Sequence, residues 1–319
     1  MKKIIYSENR KIRIDKFLAS AFAKASADKQ EFFSYTRGEI IRQIKEGNII
    51  VNGKKIKPSY ILKESDKLEI NLKKSDTKLV PNKNIKPEII YQDENIIVVN
   101  KPAGLQVHPD FHEKKNTLAN ALIVKFPEIK NVGDPSINSG QVNLRPGIVH
   151  RLDKDTSGVM VIARNQKTFL ALKEKFKNRK VEKKYWAIVY EKLEKKEGVI
   201  DKPLARAASY RKQVVAGNRT KTTVREAVTH YKVLKVWKKY SLVELTPHTG
   251  RTHQIRVHLT SIGHPIVGDK IYKIKKIEEI AALRQMLHAA NLAFELDGRK
   301  YDFKAKLPED FREFTGNID

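Results

Sequence analysis

The sequence predicts a protein of mixed helices and strands in two parts, a small N-terminal unit and a larger domain. Two observations carry this prediction. Apolar residues first recur at helical spacing and then flank an Asn-Gly pair, which is typical of two helices followed by a hairpin. Further along, short apolar runs typical of buried strands alternate with an amphipathic helix. With 319 residues, the chain is long enough for one small and one large domain.

The small unit is predicted over residues 1–72. Its apolar helix positions are Ile14, Phe17, Leu18 and Phe22 in the first helix and Ile40, Ile41 and Ile44 in the second. A loop is expected over residues 25–33, and Gly47 is placed to end the second helix. The pair Asn52-Gly53 follows a short strand and predicts a hairpin, with further short strands before residue 72.

A polar segment with two prolines and no periodicity follows, so residues 73–87 are predicted to be an extended linker. The remaining residues, 88–319, are assigned to one large domain. This domain is expected to open with a strand over residues 89–99.

Residues 147–158 combine charged and hydroxyl side chains between apolar flanks. The flanks predict a strand on each side, so the polar loop is held on a rigid frame. Asp153 and Asp155 are the candidate reactive carboxylates, and alternation in an extended chain directs Asp153 to the same side as Arg151. The alternative interpretation is a charged surface turn between two strands.

A helix is predicted over residues 166–176, capped by Asn165, with Phe169, Leu172 and Phe176 on its apolar face. The strand after it has alternating apolar positions and includes Tyr185. On pattern alone, a tyrosine in such a strand is more often a core residue than a catalytic one.

The segment over residues 245–258 contains three histidines and a possible cation for the carboxylate. Gly250 allows a turn, after which Thr252, Gln254 and Arg256 are expected to alternate onto one face of a strand. The spacing of His253 and His258 matches no common metal motif, so hydrogen bonding or contact with the bound partner is the favoured interpretation for the histidines.

The net charge of +27, from 64 Lys and Arg against 37 Asp and Glu, predicts a polyanionic partner. The basic stretch over residues 203–231, with Arg206, Arg211, Arg219 and Arg225, is expected to be a loop that contacts the RNA backbone. The basic second helix of the small unit is the other expected contact face. Because the chain has no cysteine, disulfides, thiolate catalysis and cysteine-ligated zinc are excluded. No apolar signal or membrane-length run is found, which predicts a soluble cytoplasmic protein without membrane contact.

Three segments together resemble the RluA family of RNA pseudouridine synthases. The first is the His-Arg-Leu-Asp run ending at Asp153 with Thr156, Ser157 and Gly158; the others are residues 245–258 and the strand with Tyr185. The small unit is similar to the alpha-L type RNA-binding module. The resemblance implies an α+β fold with a mostly antiparallel central sheet and an active-site cleft. The loop over residues 203–231 and the N-terminal module are closest to the RluD-like branch, which implies uridines of structured 23S ribosomal RNA as substrate and a role in ribosome biogenesis.

The resemblance also implies roles for single residues. Asp153 would be the catalytic carboxylate, Arg256 its ion-pair partner, Tyr185 the residue that stacks on the target base, and Arg151 the side chain that fills the space left by a flipped base. The matching motifs add His150, Thr156, Arg251, His253 and Gln254 as expected substrate contacts. No metal, nucleotide or other cofactor is implied, and a monomer is the simplest expectation.

Two other functions are open from the sequence. One is a catalytically silent RNA-binding or ribosome-assembly factor of the same fold, which the intact trio of Asp153, Tyr185 and Arg256 disfavours. The other is a uracil or nucleoside glycosidase, which usually needs a second carboxylate to activate water. No second well-placed acid is evident in the sequence.

Overall fold

The computed structural model describes residues 2–28, 37–72, 79–110, 112–134, 144–207, 212–218, 220–277 and 282–317. It divides into two compact units, residues 1–78 with 134–142 and residues 79–133 with 143–319. The sequence predicts a linker over residues 73–87, but residues 79–87 belong to the larger unit. Leu79 is buried in the core of that unit, and the Nδ2 amide of Asn120 donates to the Val80 carbonyl at 2.7 Å.

The described residues of the smaller unit form two helices and a four-stranded antiparallel sheet in the order β1-β4-β2-β3. Its elements are β1 (Lys2–Ile5), α1 (Ile14–Asp28), α2 (Arg37–Lys45), β2 (Ile49–Val51), β3 (Lys54–Lys55) and β4 (Lys67–Ile70). The predicted order of helix, helix and hairpin is confirmed. Asn52 and Gly53 form the hairpin turn with φ values of 51° and 73°.

The predicted loop between the two helices is partly wrong. Residues 25–28 belong to α1, since alanine favours the continuation of the helix, and residues 29–33 lie outside the described residues. The helices pack on the sheet through a single apolar core that includes Leu18, Ile40 and Leu68.

The larger unit is an α+β domain built on a nine-stranded sheet. Its elements are β5 (Glu88–Gln92), β6 (Ile96–Lys101), α3 (Leu118–Lys125), a 3₁₀ turn (Pro127–Asn131), β7 (Ser157–Ala163), α4 (Gln166–Lys177), β8 (Val181–Tyr190), β9 (Glu197–Asp201), β10 (Leu204–Arg206), β11 (Gln213–Val215), β12 (Val228–Val236), β13 (Tyr240–Pro247), α5 (Gln254–Ser261), β14 (Leu287–Leu296), β15 (Arg299–Lys304) and α6 (Glu309–Gly316). The strand order is β5-β6-β7-β14-β8-β13-β12-β9, with β15 also paired to β14. Among the described strands of this sheet, β7 and β14 are parallel and the other pairs are antiparallel.

The strand predicted over residues 89–99 is in fact a hairpin of β5 and β6. Asp93 ends the first strand, and its Oδ1 accepts hydrogen bonds from the backbone N–H groups of Asn95 and Ile96 at 2.9 and 2.8 Å. This aspartate turn interrupts an apolar pattern that otherwise continues across both strands.

The predicted helix after β7 is confirmed as α4. The Asn165 side chain caps it by accepting from the Thr168 N–H at 2.9 Å, and Phe169 and Leu172 are buried in the core against β7. A second core on β8 and β13 is covered by α5 and α6 and includes Leu259 and Phe311.

The strand predicted from the alternation of Thr252, Gln254 and Arg256 is wrong, because Gln254–Ser261 forms helix α5. The deciding pattern is helical: Ile255 and Leu259 are four residues apart and both lie in the second core. No helix in the part of the chain that the structure describes is both long enough and apolar enough to cross a membrane.

Candidate active site

The polar segment over residues 147–158 is fixed at both ends by glycines that approach backbone closely. A Cβ atom on Gly147 would lie 2.2 Å from the Ala163 carbonyl oxygen, and one on Gly158 would lie 2.2 Å from that of Ala289. Both glycines also have positive φ. The strand predicted before the loop is absent from the described residues, where Ile148 forms a single bridge to β7. β6 pairs with one edge of β7, and β14 pairs with the first two residues of β7 on the other edge.

Asp153 lies in this loop and shares one arginine with a second acid. Nη1 of Arg256 is 3.0 Å from Oδ2 of Asp153, while Nε and Nη2 of Arg256 bind the two carboxylate oxygens of Asp269 at 2.6 and 2.8 Å. The side chains of Arg256 and Asp269 are 5% and 0% exposed, whereas that of Asp153 is 20% exposed. Asp153 is therefore the acid of this trio that can be reached from outside.

Asp269 was missed in the sequence, where no second well-placed acid was recognised. It follows Gly268, whose positive φ turns the chain, and its Oδ1 also accepts the N–H groups of Ile271 and Tyr272. Burial by itself lowers the pKa of Arg256, but the bonds and charges of Asp269 and Asp153 outweigh it and raise that pKa. A Gly-Asp pair directly after a buried apolar run was the available signal.

Gln254, an expected substrate contact, lines the cleft and stabilises the turn before α5. Its Oε1 accepts from the Thr249 hydroxyl and the Arg251 N–H at 2.6 and 3.0 Å, and its Nε2 donates to the Val228 carbonyl and the Thr229 hydroxyl, each at 3.0 Å. The residue is buried, and these four bonds occupy both ends of its amide. Arg251 lies beside it with its Nε on the Glu226 carbonyl.

Tyr185 lies in the middle of β8 and lines the same cleft as Asp153. Burial raises the pKa of its phenol, and the charge of Asp153 raises it further, so the hydroxyl keeps its proton at neutral pH. Within the described residues the hydroxyl has no hydrogen-bond partner, so it is available to a ligand in the cleft.

His150 and Thr156, two further expected contacts, make internal bonds. Nε2 of His150 accepts the Val161 N–H at 3.0 Å, and the ring stacks on Phe176 with centroids 4.6 Å apart. Burial, and then the charge of Lys183, lowers the pKa of His150 to about 3, so this histidine is neutral. The buried Thr156 hydroxyl accepts from Nε2 of Gln285 at 2.9 Å.

Two buried cations that the sequence did not single out donate hydrogen bonds to the backbone of the loop that contains Asp153. Nζ of Lys101 donates to the Lys154 carbonyl at 2.9 Å, and Nη1 of Arg284 donates to the Asp155 carbonyl at 3.2 Å. Burial lowers the pKa of Lys101 to about 7, although Asp155 acts in the opposite direction. The backbone on the C-terminal side of Asp153 is thus anchored at two successive carbonyls.

The cleft around Asp153 has a volume of about 550 Å³ and a basic rim. The rim cations are Arg145, Arg151, Lys177, Arg179, Lys183 and Arg251. Arg151 is exposed, and no hydrogen bond or ion pair fixes its side chain to another described residue. The cleft can therefore admit a nucleotide-sized anion and leaves Arg151 free to contact it.

Part of the basic stretch over residues 203–231 folds as the hairpin of β10 and β11. Arg211 and Arg219, two of the arginines predicted to contact RNA, lie outside the described residues. Over the described ranges, no cluster of three or more His, Asp or Glu side chains is arranged to hold a metal ion.

The sequence profile of the RNA pseudouridylate synthase family matches residues 95–261, which include Asp153, Tyr185 and Arg256. The chain belongs to the RNA pseudouridine synthase family. An S4 domain profile matches residues 29–68 in the smaller unit of this synthase.

Similar proteins extend the family match to nearly the whole chain. An Aquifex aeolicus protein named as an uncharacterized RNA pseudouridine synthase is 39% identical over 96% of this chain and 93% of its own length. The ribosomal large subunit pseudouridine synthase D of Pseudomonas aeruginosa is 35% identical over 88% and 87%. The structure of human RNA pseudouridylate synthase domain containing 1 aligns with a TM-score of 0.58 and 26% identity over 72% of this chain and 86% of that one. The predicted family, the α+β fold class and the assignment as an isomerase are confirmed.

Proposed function

We propose that this synthase converts uridines of structured 23S ribosomal RNA to pseudouridine. The proposal of this substrate is supported by relatives named ribosomal large subunit pseudouridine synthase D, which are 33% to 36% identical to this chain. An S4 domain and a net charge of +27 fit a folded RNA partner.

The reaction is an isomerisation in which the bond from N1 of uracil to C1′ of ribose breaks and a bond from C5 to C1′ forms. C5 loses a proton and N1 gains one, so no oxidant or co-reactant is consumed. Asp153 supplies the carboxylate that acts at the nucleotide. Arg256 is its cation, and Asp269 holds Arg256 in place by binding its other two nitrogens.

The target base must leave its stack to reach the cleft, at a cost of a few kcal/mol. Tyr185 lines the cleft and provides an aromatic surface for the extruded uracil, and its protonated hydroxyl can donate a hydrogen bond to the nucleotide. Arg151 is exposed and lines the cleft, and its planar guanidinium can contact the opened RNA.

The observation that carries the proposal is the asymmetry of the shared arginine. Of its two carboxylate partners, Asp269 is fully enclosed and Asp153 is open to the cleft that Tyr185 also lines. A partly exposed carboxylate, fixed by a buried cation in a cleft that also has an aromatic ring, suits chemistry at a glycosidic bond.

The test is release of tritium from C5-labelled uridine in a 23S RNA stem-loop. We expect Asp153→Asn to abolish release while RNA affinity stays within a few-fold, because the amide keeps the shape and loses the charge. Asp155→Asn is the matched control two residues away, and it should keep near wild-type activity. Full activity of Asp153→Asn would contradict the mechanism.

Mapping pseudouridines in ribosomal RNA from cells with and without the gene tests the substrate. Sites that disappear from 23S RNA are the expected result. A change confined to other RNAs would contradict the substrate and leave the mechanism at Asp153 unaffected.

A further inference from the structure

We propose that Tyr272 is a positioning residue that fixes His253 as an Nε2–H hydrogen-bond donor facing the cleft next to Asp153. This inference rests on the proposed function of Asp153 and extends it. It assigns the recognition of an acceptor oxygen of the target nucleotide, a uracil carbonyl or a ribose hydroxyl, to one tautomer of His253.

The tautomer follows from the partners of the Tyr272 hydroxyl. This oxygen accepts the backbone N–H of Gln213 at 2.9 Å and lies 2.9 Å from Nδ1 of His253. Among the residues that the structure describes, Nδ1 of His253 is the acceptor within hydrogen-bond distance of this buried hydroxyl. The Tyr272 O–H therefore donates to Nδ1, and a neutral His253 carries its own proton on Nε2.

The surroundings hold both rings. The N–H of Tyr272 is bound by Oδ1 of Asp269, and the guanidinium of Arg256 lies over the Tyr272 ring at 5.1 Å. The rings of Tyr272 and His253 meet edge to face with centroids 5.6 Å apart. Asp269, which fixes Arg256 beside Asp153, thus also fixes Tyr272 beside His253.

The free end of His253 faces Asp153. Its Nε2 is 3.8 Å from Oδ2 of Asp153, the oxygen that Arg256 also approaches. This distance is beyond a hydrogen bond, and no other described residue takes the Nε2 proton. The donor is available to a ligand oxygen that enters between His253 and the carboxylate.

The backbone conformation of His253 offers a purely structural reason for this residue, and that alternative can be tested by a control. Its φ of 55° and ψ of 18° are left-handed, a conformation that asparagine adopts more readily than glutamine. If His253 served only to form this turn before α5, His253→Asn would be better tolerated than His253→Gln. The glutamine amide can place an N–H near the position of Nε2, whereas the asparagine amide reaches only as far as Nδ1.

The first test compares kcat of the full-length variants on the same RNA stem-loop, after circular dichroism has shown that each is folded. We expect His253→Asn to lower kcat about 100-fold, as for removal of one positioned donor, and His253→Gln to recover most of that loss. Equal activity of the two variants, or higher activity of the asparagine variant, would overturn the proposal.

The second test stands even if neither histidine variant folds. Tyr272→Phe should lower kcat about tenfold with little change in KM for RNA, because one hydrogen bond that orients His253 is lost. Tyr301→Phe is the control, since Tyr301 is as buried as Tyr272 and its hydroxyl binds Asp93 away from the cleft. Unchanged kcat in Tyr272→Phe, or the same loss in Tyr301→Phe, would overturn the inference. An inactive wild-type protein or an active Asp153→Asn variant would instead contradict the proposed function.

Discussion

The smaller and larger units each contain a three-membered cluster of arginine and aspartate, with opposite arrangements. In the smaller unit one acid, Asp15, binds two arginines: Arg13 at 3.0 and 3.1 Å and Arg37 at 3.0 and 2.6 Å. In the larger unit one arginine, Arg256, binds Asp153 and Asp269.

The two clusters differ in which member reaches the surface. Asp15 is 0% exposed while Arg13 and Arg37 are 40% and 48% exposed, so the open members are cations. In the larger unit, the arginine is enclosed and the open member is the carboxylate of Asp153. Exposed guanidinium groups suit binding of phosphate, whereas an exposed carboxylate with a buried cation suits a reaction. The same ion-pair chemistry thus leaves cations open in the unit that contains the S4 match and a carboxylate open in the cleft that we propose as the active site.

The largest expected effect is from Arg256→Lys. A lysine is a point charge that cannot bind Asp269 through two nitrogens and Asp153 through a third, so Asp153 loses its fixed cation. We expect kcat for tritium release to fall about 100-fold or more. The matched control is Arg13→Lys, which leaves Asp15 its bonds to Arg37 and should keep kcat within about twofold. A near wild-type kcat for Arg256→Lys would show that the arrangement of the shared arginine is unimportant.

The cluster of the larger unit also shows what the sequence could predict. Asp153, Arg256 and Tyr185 stand in motifs with distinctive residue order, and the structure brings all three to one cleft. Asp269 was missed because its partner lies 13 residues away on a helix that the sequence pattern suggested was a strand. A segment with both period-two and period-four positions is ambiguous until the core that it covers is known.

The same limit applies to the fold. Local signals predicted α4 from its Asn165 cap and the hairpin from Asn52-Gly53, and both are present. The parallel pairing of β7 with β14 joins segments about 130 residues apart, at His288 with Ser157, and depends on contacts that no local pattern encodes.

A smaller effect is expected from Asp15→Asn in the other cluster. The amide cannot satisfy two guanidinium groups as the carboxylate does, so the smaller unit should lose about 1.5–3 kcal/mol of its free energy of unfolding. Arg13 and Arg37 are both partly exposed, so water can hydrate their guanidinium groups when the carboxylate is lost. We therefore expect no change in kcat on a short stem-loop. Urea unfolding monitored in the full-length protein measures the first quantity. Asp297→Asn, which removes an exposed ion pair with Lys167, is the control and should cost less than about 1 kcal/mol. Equal losses in the two variants would remove the distinction between the enclosed acid and a surface acid.

The smallest expected effect is a difference in how acid affects the two units. Burial raises the pKa of Asp15, but the bonds from Arg13 and Arg37 outweigh it and lower that pKa below 3.8, so the contribution of Asp15 to stability is lost only below that pH.

In the larger unit, burial lowers the pKa of His288 to about 4. The unfolded chain takes up a proton at His288 as the pH falls through about 6.5, while the folded chain does not until about pH 4. Stability of the larger unit should therefore decline between these values, by roughly 1 kcal/mol for His288 between pH 6.5 and 5.5.

Urea unfolding at pH 7.5 and 5.5 tests this order. The transition of the larger unit should move to lower urea on acidification, and that of the smaller unit should move less. His288→Gln removes the titrating group and the hydrogen bond between Nδ1 and Ser157, so it should weaken the larger unit at both pH values and reduce the difference between them. If the pH difference is unchanged in His288→Gln, the acid sensitivity must come from other groups, such as the neutral His150 in the loop before β7. A smaller unit that unfolds first on acidification would show that its enclosed acid cluster does not protect it.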